Sequence, residues 1–91
     1  MKPAPYVVYI LKCKDGTYYT GTTNNILSRI KKHNNGTGAK YTRGRTPVKL
    51  IFTQYYASKS AACAAEWSIK QLSRSQKTKL IRTQKTKIKN Q

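Results

Sequence analysis

At 91 residues, the chain has room for one domain and none for a second catalytic domain, because a core this small already leaves much of its surface in water. Lys and Arg number 19 against 2 Asp and Glu, a formal net charge of +17 that favours a polyanionic partner, with nucleic acid as the natural one. Two acidic residues are also too few for a cluster of carboxylates around two metal ions.

The first predicted element is a β-hairpin. The run from Tyr6 to Leu11 is continuous in β-branched and aromatic residues and is too short for a helix, which predicts a buried central strand. Asp15-Gly16 is typical of a tight turn. Residues Thr17 to Thr20 then predict a returning strand that ends at Gly21.

The register of this hairpin decides where two tyrosines point. We expect a three-residue loop at positions 14–16, with Gly16 in a left-handed conformation. That loop places Tyr9 opposite Gly21, whose missing side chain leaves space beside the phenol. Tyr19 then lies opposite Leu11, so both tyrosines share one face of the sheet.

A helix and a basic loop are predicted next. Residues 22–25 offer several capping side chains just before Ile26, Leu27 and Ile30, whose spacing makes one apolar stripe. We therefore expect a helix from about Ile26 to His33. The following segment, through Pro47, is rich in glycine and basic residues and predicts an ordered loop that faces the ligand.

The second half of the chain predicts one more strand and two helices. Val48 to Tyr56 is rich in β-formers and fits a third antiparallel strand. A short last helix is predicted from Ser75 to about Ile81. Between them, Ser58 or Ser60 can cap a helix whose expected buried face comprises Ala61, Ala62, Ala65, Ile69 and Leu72.

These elements predict an α/β chain of the α+β class. It has a small three-stranded antiparallel sheet, made of the hairpin and the third strand, flanked by helices in the order β-β-α-β-α-α. We assign residues 1–81 to one domain and residues 82–91 to a basic, flexible C-terminal tail, because the lysine-rich end has no apolar stripe to bury.

The sequence favours a cytoplasmic or nucleoid-associated protein. No run of about 18 apolar residues exists, and no basic helix has a wide apolar face, so membrane binding is the weaker interpretation. Residues 1–5 lead straight into the first strand without the features of a signal peptide. Cys13 and Cys63 have no Cys-x-x-Cys spacing, so we expect both to pack as small apolar residues rather than to bind zinc.

The two carboxylates are informative because they are so few. Asp15 is explained by its turn with Gly16, whereas Glu66 lies in the middle of the second predicted helix. The simplest structural role for Glu66 is an ion pair with Lys70, four residues later.

Two further pairs of residues have both a structural and a chemical interpretation. Arg29 and His33 lie four residues apart, so they can meet one phosphate from adjacent helical turns, although a solvated face explains any such pair taken alone. Ordinary sheet packing likewise explains Tyr9 and Tyr19 taken alone.

Read in order, these residues resemble the GIY-YIG nuclease family, whose first motif is usually Gly-Ile-Tyr and whose second is Tyr-Ile-Gly. The chain has Val7-Val8-Tyr9, Tyr19-Thr20-Gly21, Arg29, His33 and Glu66 in this order. The similarity is closest to the small stand-alone bacterial branch and to the junction-cutting branch, and it covers roughly residues 6–79. The shared features of these branches are Arg29-x-x-x-His33-Asn34, Gly36, the Ala39 to Thr42 stretch, Pro47 and Glu66-Trp67.

The chain also departs from the family pattern. Val7 stands where the first motif usually has Gly, and Thr22 stands where several members carry Lys. The Asn that some members place after the Glu has no clear match.

The resemblance implies a magnesium-dependent DNA endonuclease, with branched or damaged DNA in repair or recombination as candidate substrates and no small-molecule cofactor. By the same resemblance, Tyr9 or Tyr19 is the general base, with a pKa lowered by neighbouring positive charge. Arg29 holds the phosphate oxygens, and His33 orients water or a tyrosine hydroxyl. Glu66 holds one Mg²⁺.

We expect phosphate contacts from basic side chains around this site and along the loop. The predicted nucleic-acid-binding residues are Lys32, Lys40, Arg43, Arg45 and Lys70. Two other functions stay open at this point. The chain can be a non-catalytic nucleic-acid or ribosome-associated binder, for which charge alone suffices, or an inactive nuclease-like fold that serves protein interactions.

Overall fold

A computed structural model describes residues 5–89, with side chains described through residue 84. The fold is the predicted α+β arrangement, with an antiparallel sheet in the strand order β2-β1-β3. Its elements are β1 (Tyr6–Lys12), β2 (Tyr18–Thr23), α1 (Ile26–Asn34), a short 3₁₀ turn (Lys40–Thr42), β3 (Lys49–Tyr56), α2 (Lys59–Lys70) and α3 (Arg74–Lys89). No helix in residues 5–89 is long and apolar enough to cross a membrane.

The hairpin register is confirmed. Gly16 has a φ of 86°, and the backbone N–H of Cys13 donates to the Thr17 carbonyl at 2.8 Å. Asp15 closes the turn through Oδ1, which accepts from the Thr17 hydroxyl at 2.6 Å. Tyr9 pairs with Gly21, and Leu11 pairs with Tyr19, as predicted.

The central strand β1 is buried on both faces, which explains its uninterrupted apolar sequence. Alternate residues therefore feed two separate cores. On one face, α2 and α3 cover a core of Val8, Ile10, Phe52, Ala62, Ile69 and Ile81. On the other face, α1 covers Tyr9, Leu11, Cys13 and Val48, with Tyr19, Ile26 and Ile30 packed against them.

Helix α1 differs from its predicted stripe at one position. Its N-cap is Asn25, whose Oδ1 accepts from the Ser28 N–H at 3.1 Å. Ile26 and Ile30 pack inward, but Leu27 is 79% exposed. The third inward position is occupied by His33, which lies seven residues after Ile26, about two turns further along the same face of the helix.

Helix α2 begins after Ser58, whose Oγ accepts from the Ala61 N–H at 3.1 Å. Ala62 and Ile69 are buried as predicted, whereas Ala61 is exposed. Cys63 is also exposed, so the prediction that both cysteines pack internally holds only for Cys13. The reason is helical geometry, since Cys63 follows Ala62 by one residue and is turned about 100° away from the buried face.

Helix α3 is longer than predicted. It begins at Arg74 and continues to Lys89, so the predicted helix end at about Ile81 is wrong. Gln84 supplies one physical reason. Its side-chain Oε1 accepts from the Thr53 N–H at 3.2 Å, and its Nε2 donates to the Thr53 carbonyl. Residues 82–89 of the predicted flexible tail belong to this helix, and residues 90–91 lie outside the described part of the chain.

Candidate active site

The two motif segments and helix α1 bring a tyrosine and a histidine together in the core. The Tyr9 hydroxyl lies 3.0 Å from Nε2 of His33, across 24 positions of sequence. Each of the two residues is 1% exposed. A Cβ at position 21 would lie 2.5 Å from the Tyr9 hydroxyl oxygen, so Gly21 is required for Tyr9 to reach His33.

The second nitrogen of His33 is also engaged. Nδ1 lies 2.8 Å from the Thr42 hydroxyl, and that hydroxyl donates to the Ala39 carbonyl at 2.9 Å. Gly38 packs on the ring so closely that a Cβ there would lie 2.5 Å from Nδ1. The loop after α1 therefore folds back on His33 and encloses it.

Tyr19 completes an aromatic cluster around these two residues. Its ring centroid lies 6.2 Å from that of Tyr9 and 5.2 Å from that of His33. On its other side is Tyr41, at 5.9 Å. Tyr19 is half-buried whereas Tyr9 is buried, so Tyr19 is the more accessible of the two motif tyrosines.

The electrostatics of Tyr9 are opposite to what the sequence suggested. Burial is the largest influence and raises the pKa of the Tyr9 phenol well above its ordinary value, with Tyr19 adding to the rise. The positive charge of Arg29 lowers that pKa but does not outweigh the burial. The expectation that surrounding cations lower the pKa of the base is therefore wrong for Tyr9. The free energy needed to remove a phenolate from water exceeds the stabilisation that the nearby cation provides.

The same environment keeps His33 neutral. Burial lowers the pKa of the His33 imidazole below 6.5, and the charge of Arg29 lowers it further. A neutral imidazole has one N–H donor and one acceptor nitrogen, so one ring nitrogen of His33 can receive a proton.

A cleft of about 380 Å³ lies beside β2. Arg29 and Glu66 both line it, although they come from different helices. The other residues around the cleft are Tyr6, Thr22, Thr23, Asn24, Lys59 and Cys63. The cleft thus presents a guanidinium and a carboxylate to the same open space.

Glu66 is held by two contacts. Its Oε1 accepts from the Thr22 hydroxyl at 2.5 Å, and its Oε2 pairs with the Lys70 ammonium at 2.7 Å. Burial raises the pKa of this carboxyl, but the hydrogen bonds from Lys70 and Thr22 and the charge of Lys70 outweigh it, so the pKa lies below its ordinary value. Glu66 is therefore ionised at neutral pH, and the ion pair considered from the sequence exists in the fold.

The two halves of the site lie on opposite faces of the sheet. Tyr9 belongs to the core under α1, whereas its neighbour Val8 pairs with Thr22 and belongs to the core under α2. Arg29 connects the halves, because it lines the cleft while its charge acts on both Tyr9 and His33. Tyr9 therefore interacts with each of the other four residues predicted to be catalytic, namely Tyr19, Arg29, His33 and Glu66.

The predicted nucleic-acid-binding residues fall into two groups. Lys32, Lys40 and Arg43 are exposed. Arg45 is tied into the fold, because its Nε donates to Oδ2 of Asp15 at 3.0 Å and its guanidinium lies 4.3 Å from the centre of the Tyr41 ring. Lys70 is paired with Glu66. Among the five predicted residues, Lys32, Lys40 and Arg43 are the ones without an ion pair in the described part of the chain.

The donor set of the cleft fits one magnesium ion. Glu66 is its sole carboxylate, and residues 5–89 hold no group of three His, Cys, Asp or Glu side chains that could chelate a metal. Mg²⁺ keeps several waters and is satisfied by one or two protein carboxylates when a substrate supplies phosphate oxygens. The carboxylate oxygens of Glu66 retain lone pairs beyond the two that Thr22 and Lys70 occupy.

Sequence reasoning did not assign a role to three residues of this site. Thr22 was noticed only as a departure from the family pattern, yet it holds Glu66. Thr42 and Gly38 enclose His33 from a loop, where no periodicity marks a buried position. The signal for Gly38 was its residue type, since a glycine in a loop often marks a close approach of two segments.

The chain is similar in sequence and fold to known proteins. The model of the GIY-YIG catalytic domain family matches residues 5–79. A UPF0213 protein of Clostridium perfringens is 55% identical over 83 residues, which cover 91% of this chain and 89% of that protein. The solution NMR structure of a UPF0213 protein from Bacillus halodurans is similar with a TM-score of 0.57 and 50% identity, covering 86% of this chain and 83% of that one. A solution NMR structure of a protein from E. faecalis has a TM-score of 0.60 and 42% identity, with 90% and 86% covered.

Proposed function

The chain belongs to the GIY-YIG catalytic-domain family, and from this premise we propose that it is a magnesium-dependent endonuclease that hydrolyses phosphodiester bonds of DNA. The observation that carries the proposal is the Tyr9–His33 hydrogen bond. The charge of Arg29 acts on both of these residues, and Arg29 also lines a cleft that contains one ionised carboxylate. The formal charge of +17 supports a nucleic-acid substrate.

Proton transfer from the attacking water runs through the two tyrosines to His33. Tyr19, the more accessible phenol, takes the water proton and passes its own to the neighbouring Tyr9, whose ring centroid lies 6.2 Å away. Tyr9 in turn gives its proton to Nε2 of His33. The raised pKa of Tyr9 disfavours a standing phenolate, so the transfers are concerted. The resulting hydroxide attacks phosphorus, and the leaving oxygen takes a proton from solvent.

Arg29 binds the non-bridging oxygens of the scissile phosphate. Among the described residues, its side chain has no hydrogen-bond or ion-pair partner, so its guanidinium donors are available to the substrate. The charge of Arg29 also opposes protonation of His33. A phosphate bound to Arg29 offsets that charge, so substrate binding itself prepares His33 to receive the proton.

Glu66 would hold the magnesium ion, which when bound supplies positive charge to the phosphoryl oxygens. Thr22 orients the carboxylate toward the cleft by donating to Oε1. Lys70 holds the other carboxylate oxygen and places a second positive charge at the rim. Exposed Lys32, Lys40 and Arg43 contribute phosphate contacts that set affinity rather than sequence preference.

A second candidate function is favoured by the Glu66–Lys70 ion pair and by the buried Tyr9. A carboxylate occupied by an ammonium group and a phenol shielded from water also suit a protein that binds nucleic acid without cutting it. The two functions differ in one observable, which is magnesium-dependent cleavage.

The test compares the two carboxylates of the chain. Glu66→Gln removes the one in the cleft and is expected to lower the single-turnover rate about a thousandfold, because metal-assisted charge stabilisation contributes several kcal/mol. Asp15→Asn removes the one in the hairpin turn and is expected to leave the rate near wild type. Cleavage of duplex, flap and junction DNA is followed with Mg²⁺ and with chelator, alongside DNA binding.

The outcomes separate the candidates. Loss of cleavage in Glu66→Gln with retained binding supports the endonuclease. Equal rates for wild type and Glu66→Gln, or wild-type protein that binds every substrate and cuts none, would establish the non-catalytic binder instead.

A further inference from the structure

We propose that Thr42 is a positioning residue that fixes the tautomer of His33, so that Nε2 faces Tyr9 as a proton acceptor. Thr42 lies in the 3₁₀ turn Lys40–Thr42 and is fully buried. The catalytic consequence of this inference rests on the proposed function, but the tautomer itself is a property of the protein alone.

The direction of the hydrogen bonds follows from counting protons. A threonine hydroxyl has one proton, and a carbonyl oxygen can only accept. The Thr42 hydroxyl donates to the Ala39 carbonyl at 2.9 Å, so toward Nδ1 of His33, 2.8 Å away, it can only accept. Nδ1 therefore carries the proton of the neutral imidazole. Nε2 is left with its lone pair, which accepts the Tyr9 O–H at 3.0 Å.

The other tautomer reverses the direction of these hydrogen bonds. With the proton on Nε2, Thr42 would have to turn its proton toward Nδ1 and give up the Ala39 carbonyl. Nε2 would then donate to the Tyr9 oxygen, and His33 would have no acceptor nitrogen facing the phenol. A proton could not pass from Tyr9 to His33 in that arrangement.

Packing prevents solvent from replacing the threonine. The His33 side chain is 1% exposed, and Gly38 lies directly against the imidazole. The Thr42 backbone N–H also bonds to the Ala39 carbonyl at 3.0 Å, which anchors the turn independently of the hydroxyl. Removing the hydroxyl should therefore change the proton position without dismantling the turn.

The experiment uses the fact that the chain has one histidine and one tryptophan. Long-range ¹H–¹⁵N correlation spectra of uniformly ¹⁵N-labelled full-length protein report the tautomer of His33 without ambiguity. The variants are Thr42→Val, which keeps the shape and removes the hydroxyl, and Thr42→Ser, which keeps the hydroxyl. Trp67 fluorescence during urea unfolding checks that each variant is folded.

Wild type and Thr42→Ser are expected to show a protonated Nδ1 and an unprotonated Nε2, whereas Thr42→Val shifts population to the opposite tautomer. In single-turnover cleavage, Thr42→Val is expected to lose about a hundredfold in rate with unchanged DNA affinity, and Thr42→Ser is expected to retain the rate.

A wild-type spectrum with the proton on Nε2 overturns the inference, and so does an unchanged tautomer in folded Thr42→Val. If Thr42→Val does not fold, Thr42→Ala removes the same hydroxyl with a smaller side chain, and an unchanged tautomer in folded Thr42→Ala overturns the inference. Absence of cleavage in the wild type would refute the proposed function while leaving the tautomer result standing, so the two failures are distinguishable.

Discussion

Thr20 and Gly21 are adjacent in β2, but only Gly21 is well suited to its surroundings. Gly21 is required by the Tyr9 hydroxyl that lies against it. Thr20 is buried on the face of Ile10, and its hydroxyl has no hydrogen-bond partner in the described part of the chain. A buried hydroxyl without a partner loses its interaction with water and gains nothing in return. The motif position that usually holds Ile in the related nucleases therefore carries a destabilising polar atom here.

Replacing this hydroxyl by a methyl group should stabilise the protein. Thr20→Val is expected to raise the free energy of unfolding by about 1 kcal/mol, because it replaces the unsatisfied buried hydroxyl by a methyl group. Gly21→Ala is the matched opposite, expected to lower it by about 1 to 3 kcal/mol through overpacking against Tyr9. Urea unfolding followed by tryptophan fluorescence measures both. A destabilised Thr20→Val would mean that the hydroxyl has a partner.

At the scale of elements, β3 is an edge strand whose outward-facing backbone groups need cover. Thr53 directs its N–H and C=O away from β1, and the amide of Gln84 in α3 satisfies both. This side chain takes the place of a peptide group from a further strand, which blocks pairing with another molecule at that point. The contact also explains why α3 continues past Ile81.

Loss of this cover should expose the edge strand. Gln84→Ala is expected to destabilise the protein by about 1 kcal/mol and to speed hydrogen exchange of the Thr53 amide. Thr83→Ala is the control, because the Thr83 hydroxyl bonds to the Lys79 carbonyl of its own helix. Exchange rates measured by NMR distinguish the two variants. Unchanged protection of the Thr53 amide in Gln84→Ala would contradict the proposed role.

At the scale of the whole molecule, the net positive charge is far larger than the acidic side chains can neutralise. Each acidic side chain already has a basic partner, Asp15 with Arg45 and Glu66 with Lys70. The formal excess of +17 therefore has no acidic side chain left to neutralise it. Because each neutralised phosphate releases a counterion, such a surface binds nucleic acid with a strong dependence on salt.

DNA affinity should fall steeply with ionic strength. For about six phosphate contacts, we expect roughly a thousandfold loss between about 50 and 200 mM salt. The double variant Lys40→Ala/Arg43→Ala should flatten the slope of log affinity against log salt by about two, since both side chains are exposed on the loop beside the site. Fluorescence anisotropy with a labelled duplex measures the slopes. Affinity independent of salt would refute electrostatic binding.

The sequence by itself determined what depends on local chemistry. The hairpin register followed from Asp15-Gly16 and from the alternation of side chains along a strand, so the shared face of Tyr9 and Tyr19 was predictable. The ion pair of Glu66 with Lys70 followed from helical spacing. The antiparallel sheet and the element order followed from patterns of this kind, whereas the family followed from the resemblance of the motif residues.

Only the tertiary structure decided what depends on packing between distant segments. Tyr9 and His33 are 24 positions apart, and Thr22 and Glu66 are 44 apart, so no local period relates them. Burial also set the sign of the Tyr9 pKa shift, which a count of nearby cations had predicted wrongly. The physical reason is the same in each case: desolvation and hydrogen-bond direction depend on which groups surround an atom in the folded core, and the sequence order does not contain that information.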